Sequence, residues 1–457
     1  MIFFNEMNKQ YNITNKNNII MKNLYLILIS LLFITACDND LNQFPPLEAE
    51  SSSLTTYAEV LNAAYHYQQP STTPLAVMGD FRADNMLMKE APYTAFDNYN
   101  ATLAGGDLVE QFFRPFYSNL YKSILSANNV IDHSKNAVEV GEAKFLRALS
   151  YFKLVKVFGD VTINLSSAPS ISDKSILVRQ PAAKVYDEII IPDFQAAIAV
   201  LTNTSVANGR ASKIAAQGML AKVYMQRSNF TSAAPLLASV VSSAAAAKIS
   251  LKAKFADVFG EANDLNSEIL YATRISTSIN NLYGFSKFPE WFKGTDTKSP
   301  NPLDPKLTAA FNVNPADLRK AITIDEANKK GKKWGGLDQD WIELRYADIL
   351  LLHAEALNEN GTSAEAVLDV LDPIRVRAGL AVLDHNVLKT KDQVRKAILD
   401  ERRLELALEG QRWFDLVRTG TVNSEMGQTI SPNYYLFPIP NSEILSSSGI
   451  ITQNAGY

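Results

Sequence analysis

Phe145, Leu149 and Phe152 follow one another at steps of four and three residues, and Leu344, Ala347, Leu351 and Ala354 keep the same step. A helix turns once in about 3.6 residues, so this spacing gathers apolar side chains into a stripe that must be buried against another element. The same period runs through 54–67, 108–133, 142–158, 182–201, 212–227, 231–247, 342–360, 364–378 and 391–409. A chain with so many amphipathic segments buries them by packing helix on helix, which predicts a mainly all-α fold. Between about 255 and 340 the period lapses into Gly, Pro, Asn and aromatic residues, and a loop-rich insert with short strands is expected there.

Composition supports one large folded body. Hydrophobic residues make up 47% of the 457 and charged residues only 20%, enough apolar surface for a sizeable core. The 44 Lys and Arg are balanced by 48 Asp and Glu, which argues against a nucleic-acid partner. The single cysteine excludes a disulfide framework and a Cys-rich metal or iron–sulfur site.

Its position gives that cysteine a reason. Lys22 supplies a basic start, residues 24–34 are apolar, and Thr35-Ala36 place small residues directly before Cys37, so 21–36 reads as an export signal. The apolar run is about half the roughly 20 residues that a membrane-spanning helix needs. Phe33-Ile34-Thr35-Ala36-Cys37 resembles a bacterial lipobox, which implies cleavage before Cys37 and lipidation of its thiol. Residues 1–20 show no apolar period and are read as an extension or a misplaced start, 37–50 as a lipidated tether stiffened by Pro45-Pro46, and 51–457 as a single domain.

Two helix pairs suggest an internal repeat. Leu220-Ala221-x-x-Tyr224, then Asn229-Phe230-x-x-Ala233 and Leu237, has the order of small and large residues of a tetratricopeptide hairpin. Ala221 to Ala233 spans 12 positions, as does Ala354 to Ala366. In each pair a small residue on the first helix is expected to let the second approach closely.

Longer motifs are MGDFRADNM (78–86), EAKFLRALSYFKLVKVFGDV (142–161), LRYADILLLHAEALNENG (344–361), IRVRAGL (374–380), ERRLELALEGQRWFDLVRTG (401–420), YLFPIPNSEI (435–444) and QNAGY (453–457). With the lipobox, their order resembles the SusD/RagB family of outer-membrane nutrient-binding lipoproteins from Cys37 to Tyr457. The departures are Thr162-Ile163, where a Val-Pro or Ile-Pro is usual, and Ala455, where Pro is usual. The resemblance implies tetratricopeptide-like hairpins carrying a loop-rich ligand face. It also implies lipid anchoring at the cell surface of the outer membrane, and capture of a glycan for delivery to a SusC-like TonB-dependent transporter. Neither a cofactor nor catalysis follows from it. A peptide-capturing RagB-like lipoprotein and a helical-repeat scaffold that binds only protein are the other readings.

Glu401, Glu405 and Glu409 recur every four residues, a spacing that could pair carboxylates for acid–base work. Arg402, Arg403, Arg412 and Arg418 are interleaved with them, and Leu404, Ala407 and Leu408 add an apolar stripe, so a docked helix held by ion pairs is expected. Arg345, Asp348 and Glu355, spaced along one expected helix, are expected to form the same kind of network, with Trp413 and Phe414 as packing anchors. His66, His133, His353 and His385 lack metal-ligand spacing, and His353 is expected to be a hydrogen-bonded core residue. A sugar presents C–H groups on one face and hydroxyls at its rim, so its site needs flat aromatics beside amide or charged groups. Two loop stretches offer this mixture: Arg82 with Tyr93, Asn98 and Tyr99, and Tyr283 with Trp291. They are expected to form one exposed ligand-binding surface, provided the fold brings both to the same face.

Overall fold

Helix follows helix in space as in sequence. The computed structural model describes residues 56–170, 172–204, 206–277 and 286–457. The lipobox with Cys37, the signal, the tether and Tyr283 lie outside these residues. The elements that position the site are α1 (Ala58–His66), α2 (Arg114–His133), α3 (Ala137–Phe158), α4 (Ile191–Val200), α5 (Lys213–Gln226) and α6 (Phe230–Ser243). Beyond these come β1 (Ile269–Thr273), α7 (Phe288–Lys293), β2 (Trp341–Arg345), α8 (Tyr346–Glu359), α9 (Ala364–Arg377), α10 (Lys391–Glu405) and α11 (Arg412–Arg418). From α1 to α6 each helix packs on the next, α6 then packs on α8, and α8 packs on both α9 and α10. None of the described helices is long and apolar enough to cross a membrane.

Local chemistry explains where these helices begin and bend. Asn136, Ser212, Asn229, Ser363 and Thr390 each accept a first-turn backbone N–H, and Thr390 closes a reciprocal capping box with Gln393. Two helices widen to π turns, at Val109–Phe113 and Tyr186–Ile190, directly before Pro115 and Pro192. A proline inside a helix has no N–H for the carbonyl four residues back and its ring crowds that carbonyl, so a wider turn absorbs the defect.

The α5–α6 hairpin is built as its spacing predicts, with Ala221 and Ala233 both fully buried. The α8–α9 hairpin forms too, but the 12-residue match fails: Ala354 is buried and Ala366 is exposed. The connection at 360–363 is one residue longer than that at 227–229, so Val367, fully buried, takes the place that Ala233 holds. Leu351, Ala354, Val367, Leu371, Val394 and Ile398 close the core between α8, α9 and α10.

The helix expected from Ile342 begins instead at Tyr346. Residues 341–345 form β2, antiparallel to β1 with Ile269 opposite Arg345 and Thr273 opposite Trp341. Both strands are buried on both faces, which removes the alternation that would have marked them. Gly218 of α5 makes room for the strand pair, since a Cβ there would lie 2.6 Å from Leu344 Cδ2. The insert is also more helical than expected, with α7 and the short helices Pro305–Asn312 and Arg319–Thr323.

Candidate ligand-binding site

MGDFRADNM is a structural joint. Val77–Phe81 forms a π turn, and Asp80, wholly buried within it, accepts hydrogen bonds from Asn85 Nδ2 at 2.8 Å, Leu408 N at 3.2 Å and Gly410 N at 2.6 Å. Burial pushes the Asp80 carboxyl up to about 6 against those hydrogen bonds. Gly79 lies so close to Gly410 that an added Cβ would stand 2.5 Å from the Gly410 Cα. Asp84 accepts from Arg412 Nε at 2.7 Å and pairs with Arg403 Nη2 at 2.8 Å. This motif and the EGQR segment are thus two halves of one contact.

The two aromatic stretches do come together, but beneath the surface. Trp291 sits on α7, not in a loop, with its ring centroid 5.6 Å from Tyr93, 5.2 Å from Phe112 and 6.2 Å from Phe81. Trp291 is 1% exposed and Tyr93 7%. Arg82 is fully buried, its guanidinium 4.4 Å from the Tyr99 ring centroid and 5.3 Å from that of Trp413, and it donates to the carbonyls of Phe96 at 2.6 Å and Tyr434 at 3.0 Å. Tyr99, 8% exposed, donates its hydroxyl to the Arg82 carbonyl at 2.8 Å.

The expectation of exposed platforms is therefore corrected for Arg82, Tyr93, Tyr99 and Trp291. Stretches without helical period were read as loops, whose aromatics face outward only if the loops have no core of their own. Here Phe81, Phe96, Phe112 and Phe292 supply that core. Asn98 is exposed, as expected.

At the outer edge of the cluster the Tyr93 hydroxyl donates to Gln111 Oε1 at 2.7 Å. Lys298 Nζ lies 3.5 Å from the same oxygen and 5.9 Å from the Tyr93 ring centroid. Gln111 is half-buried and Lys298 exposed, so hydroxyl, amide and ammonium meet at the rim of an aromatic floor. Neither residue carries a local signal: Gln111 falls in a helical segment and Lys298 in a polar turn, and only tertiary packing joins them to Tyr93.

The SusD family model matches residues 304–431, and the model of a family described as starch-binding and associating with the outer membrane matches residues 38–225. These matches do not overlap and between them take in well over half of the chain. The chain belongs to the SusD family. The SusD-like protein P2 of Formosa agariphila is 26% identical over 412 residues, a match that covers 75% of this chain and 80% of the relative. A laminarin-binding SusD-like protein shares the fold with a TM-score of 0.69 at 22% identity, over 88% of this chain and 99% of its own. Surface glycan-binding protein A from Bacteroides fluxus does so with a TM-score of 0.72 at 21% identity, over 88% of this chain and 99% of its own.

Within the SusD-family match, Glu401, Glu405 and Glu409 are all buried in a charged core. Arg345 donates to Glu405 at 2.6 Å, to Glu268 at 2.8 Å and to Glu409 at 2.8 Å. Arg319 holds Glu401 at 2.5 Å, Glu405 at 3.0 Å and Asp317 at 2.7 Å, Lys333 holds Glu409 at 2.8 Å, and Arg377 also reaches Glu405. Burial alone would raise Glu405, but the guanidiniums of Arg377, Arg345 and Arg319 outweigh it and hold the carboxyl far below the usual range. Asp348 pairs with Lys222 and Arg402, and Glu355 with Arg418, while Trp413 and Phe414 are buried. The ion-pair reading of this segment holds.

The histidines need one correction. His353 is half-buried and its Nδ1 finds no hydrogen-bond partner among the described residues, so the bonded core role does not hold for that atom. His385 Nε2 lies 3.1 Å from Asp372 Oδ2 and its Nδ1 3.9 Å from Asp369 Oδ1. These three could offer a metal one atom each within 4.8 Å of one another, and each ring nitrogen already faces a carboxylate oxygen at the surface.

Proposed function

We propose that this SusD-family protein is a lipoprotein anchored through Cys37 at the cell surface, where it captures a glycan and passes it to a SusC-like TonB-dependent transporter without turning it over. The observation that carries the ligand reading is the rim where Tyr93, Gln111 and Lys298 converge. Hydroxyl, amide and ammonium groups can bond sugar hydroxyls as donors and acceptors. The glycan class is supported by the names of the two solved relatives, one laminarin-binding and one surface glycan-binding. Absence of turnover is supported by Glu401, Glu405 and Glu409, each already committed to Arg or Lys.

Affinity electrophoresis of the purified protein through gels cast with laminarin, starch or other polysaccharides tests the ligand class. Retardation by at least one polysaccharide is expected. Free migration through all of them, together with capture of peptides, would replace the glycan by a peptide. For the anchor, Cys37→Ser should move the protein out of the membrane fraction, and an unchanged distribution would sink the lipoprotein assignment. Co-purification of a TonB-dependent barrel with the native protein tests the delivery step, and its absence would count against it.

A further inference from the structure

Asp392, Arg395, Leu399, Arg403 and Leu406 follow one another along α10 and just past its end at steps of three and four residues, which sets them on the face away from Glu401 and Glu405. That face borders a cleft. Its other lining includes Leu416 of α11, Thr419 just past the end of α11, Thr421 and Glu425 at the short helix Val422–Met426, and Asn85 of the MGDFRADNM joint. The cleft measures about 220 Å³. Such a space holds several waters at about 30 Å³ each, yet falls short of the roughly 300–1,000 Å³ of pockets for drug-sized ligands. One small ring is what it can take.

Charge in the lining is already matched. Arg395 pairs with Asp392, Lys396 with Asp400 at 2.8 Å, Arg402 with Asp415 at 3.1 Å, Arg403 with Asp84 at 2.8 Å and Arg412 with Glu425 at 2.8 Å. A charged ligand would have to compete with these pairs. What stays unmatched is hydrogen-bonding capacity: the side-chain amide of half-buried Gln411 makes no hydrogen bond among the described residues. Asn85 Oδ1 and Arg403 Nε, both shut off from solvent, likewise have no partner there. The Asn85 amide is oriented by its Nδ2, which donates to Asp80 at 2.8 Å, and Arg403 Nη2 donates at 3.1 Å to the carbonyl of Asp84, next in the chain to Asn85. An unmet acceptor and an unmet donor therefore belong to the same end of the cleft, and a hydroxyl is the neutral group that serves both.

We propose that this cleft is a binding site for one neutral sugar ring, separate from the rim at Tyr93 and sharing no residue with it. The C–H face of the ring rests on Leu399, Leu406 and Leu416, and its hydroxyls bond the Gln411 amide and the Thr419 and Thr421 hydroxyls. Thr419 and Thr421 bond each other at 2.8 Å, which leaves each oxygen further capacity to accept. The matched ion pairs around the ring select against an acidic or basic sugar.

The probes are D-glucose, D-galactose, D-mannose and D-xylose, each offered to the full protein in a saturation-transfer resonance experiment, with D-glucuronate as the charged comparison. At least one neutral sugar should receive saturation, and more than D-glucuronate does. Gln411→Leu, which removes the amide at nearly constant size, should weaken that sugar by roughly tenfold. Thr419→Trp, which fills the cleft, should abolish the transfer, and a thermal melt of each variant checks that it is folded. Should Thr419→Trp fail to fold, Gln411→Leu decides. Transfer as strong in the folded variants as in wild type would place the sugar elsewhere and overturn the site. Transfer to none of the neutral sugars would mean that the cleft holds water only, and a preference for D-glucuronate would overturn the neutral class.

Discussion

Trp291 meets Phe81, Tyr93 and Phe112 with centroids 6.2, 5.6 and 5.2 Å away, so deleting its indole leaves three rings facing a void. Truncation of a buried Trp costs about 3–5 kcal/mol. Trp291→Ala should therefore lower the free energy of unfolding by that amount in a urea titration, and a loss under about 1 kcal/mol would show the ring to be outside the core. The aromatic content of both stretches was legible in the sequence, whereas their meeting was only the condition on which a shared surface depended. Their depth was not, because nothing local tells a loop that packs on its own aromatics from one that presents them. Asp97, on the same stretch, accepts from Met88 N at 3.4 Å. Burial pushes its carboxyl up to about 7 in spite of that hydrogen bond. An acid whose folded pKa is raised binds more protons folded than unfolded, so its contribution makes stability fall as pH rises from about 4 to 7. Asp97→Asn should flatten that part of the stability profile, and an unaltered slope would exclude Asp97 as its source.

At the scale of elements, α10 is joined to β2, α9 and Arg319 by charges as well as by the buried Val394 and Ile398 of its apolar stripe. Glu405 alone meets Arg319, Arg345 and Arg377, with side chains almost wholly out of water. Removing one partner from a buried pair leaves an uncompensated charge and costs about 3–5 kcal/mol. Glu405→Gln should lose that much stability, whereas Asp400→Asn, which breaks the exposed Lys396 pair at 2.8 Å, should change it by less than about 1 kcal/mol. Equal effects would mean that the buried network is not what fixes α10. The charges of this segment were readable from its interleaved Glu and Arg, but their partners were not, since Glu268, Asp317 and Arg345 lie far away in the chain. Hairpin spacing shows the same limit. The alanine match held in α5–α6 and slipped by one residue in α8–α9 because of a longer connection, and at 341–345 strand pairing overrode a helical period that runs through Leu344 into α8.

Across the described residues from 56 to 457, helix packs on helix, buried ion pairs pin the C-terminal half, and the aromatic cluster carries a small polar rim. The chain's mainly α-helical character was evident from the apolar period and its family from the order of the motifs, while the rim of Gln111 and Lys298 exists only once the chain is folded. In the proposed function it is this rim, and not the aromatics beneath it, that contacts a glycan. The most direct measurement is titration calorimetry of wild type, Gln111→Ala and Lys298→Ala with a polysaccharide that retards the protein, each paired with a thermal melt. Each substitution should weaken binding by roughly 1–2 kcal/mol, as for the loss of one or two hydrogen bonds, with the melting temperature within about 2 °C of wild type. Unchanged affinity in both variants would contradict it and place the ligand elsewhere on the molecule.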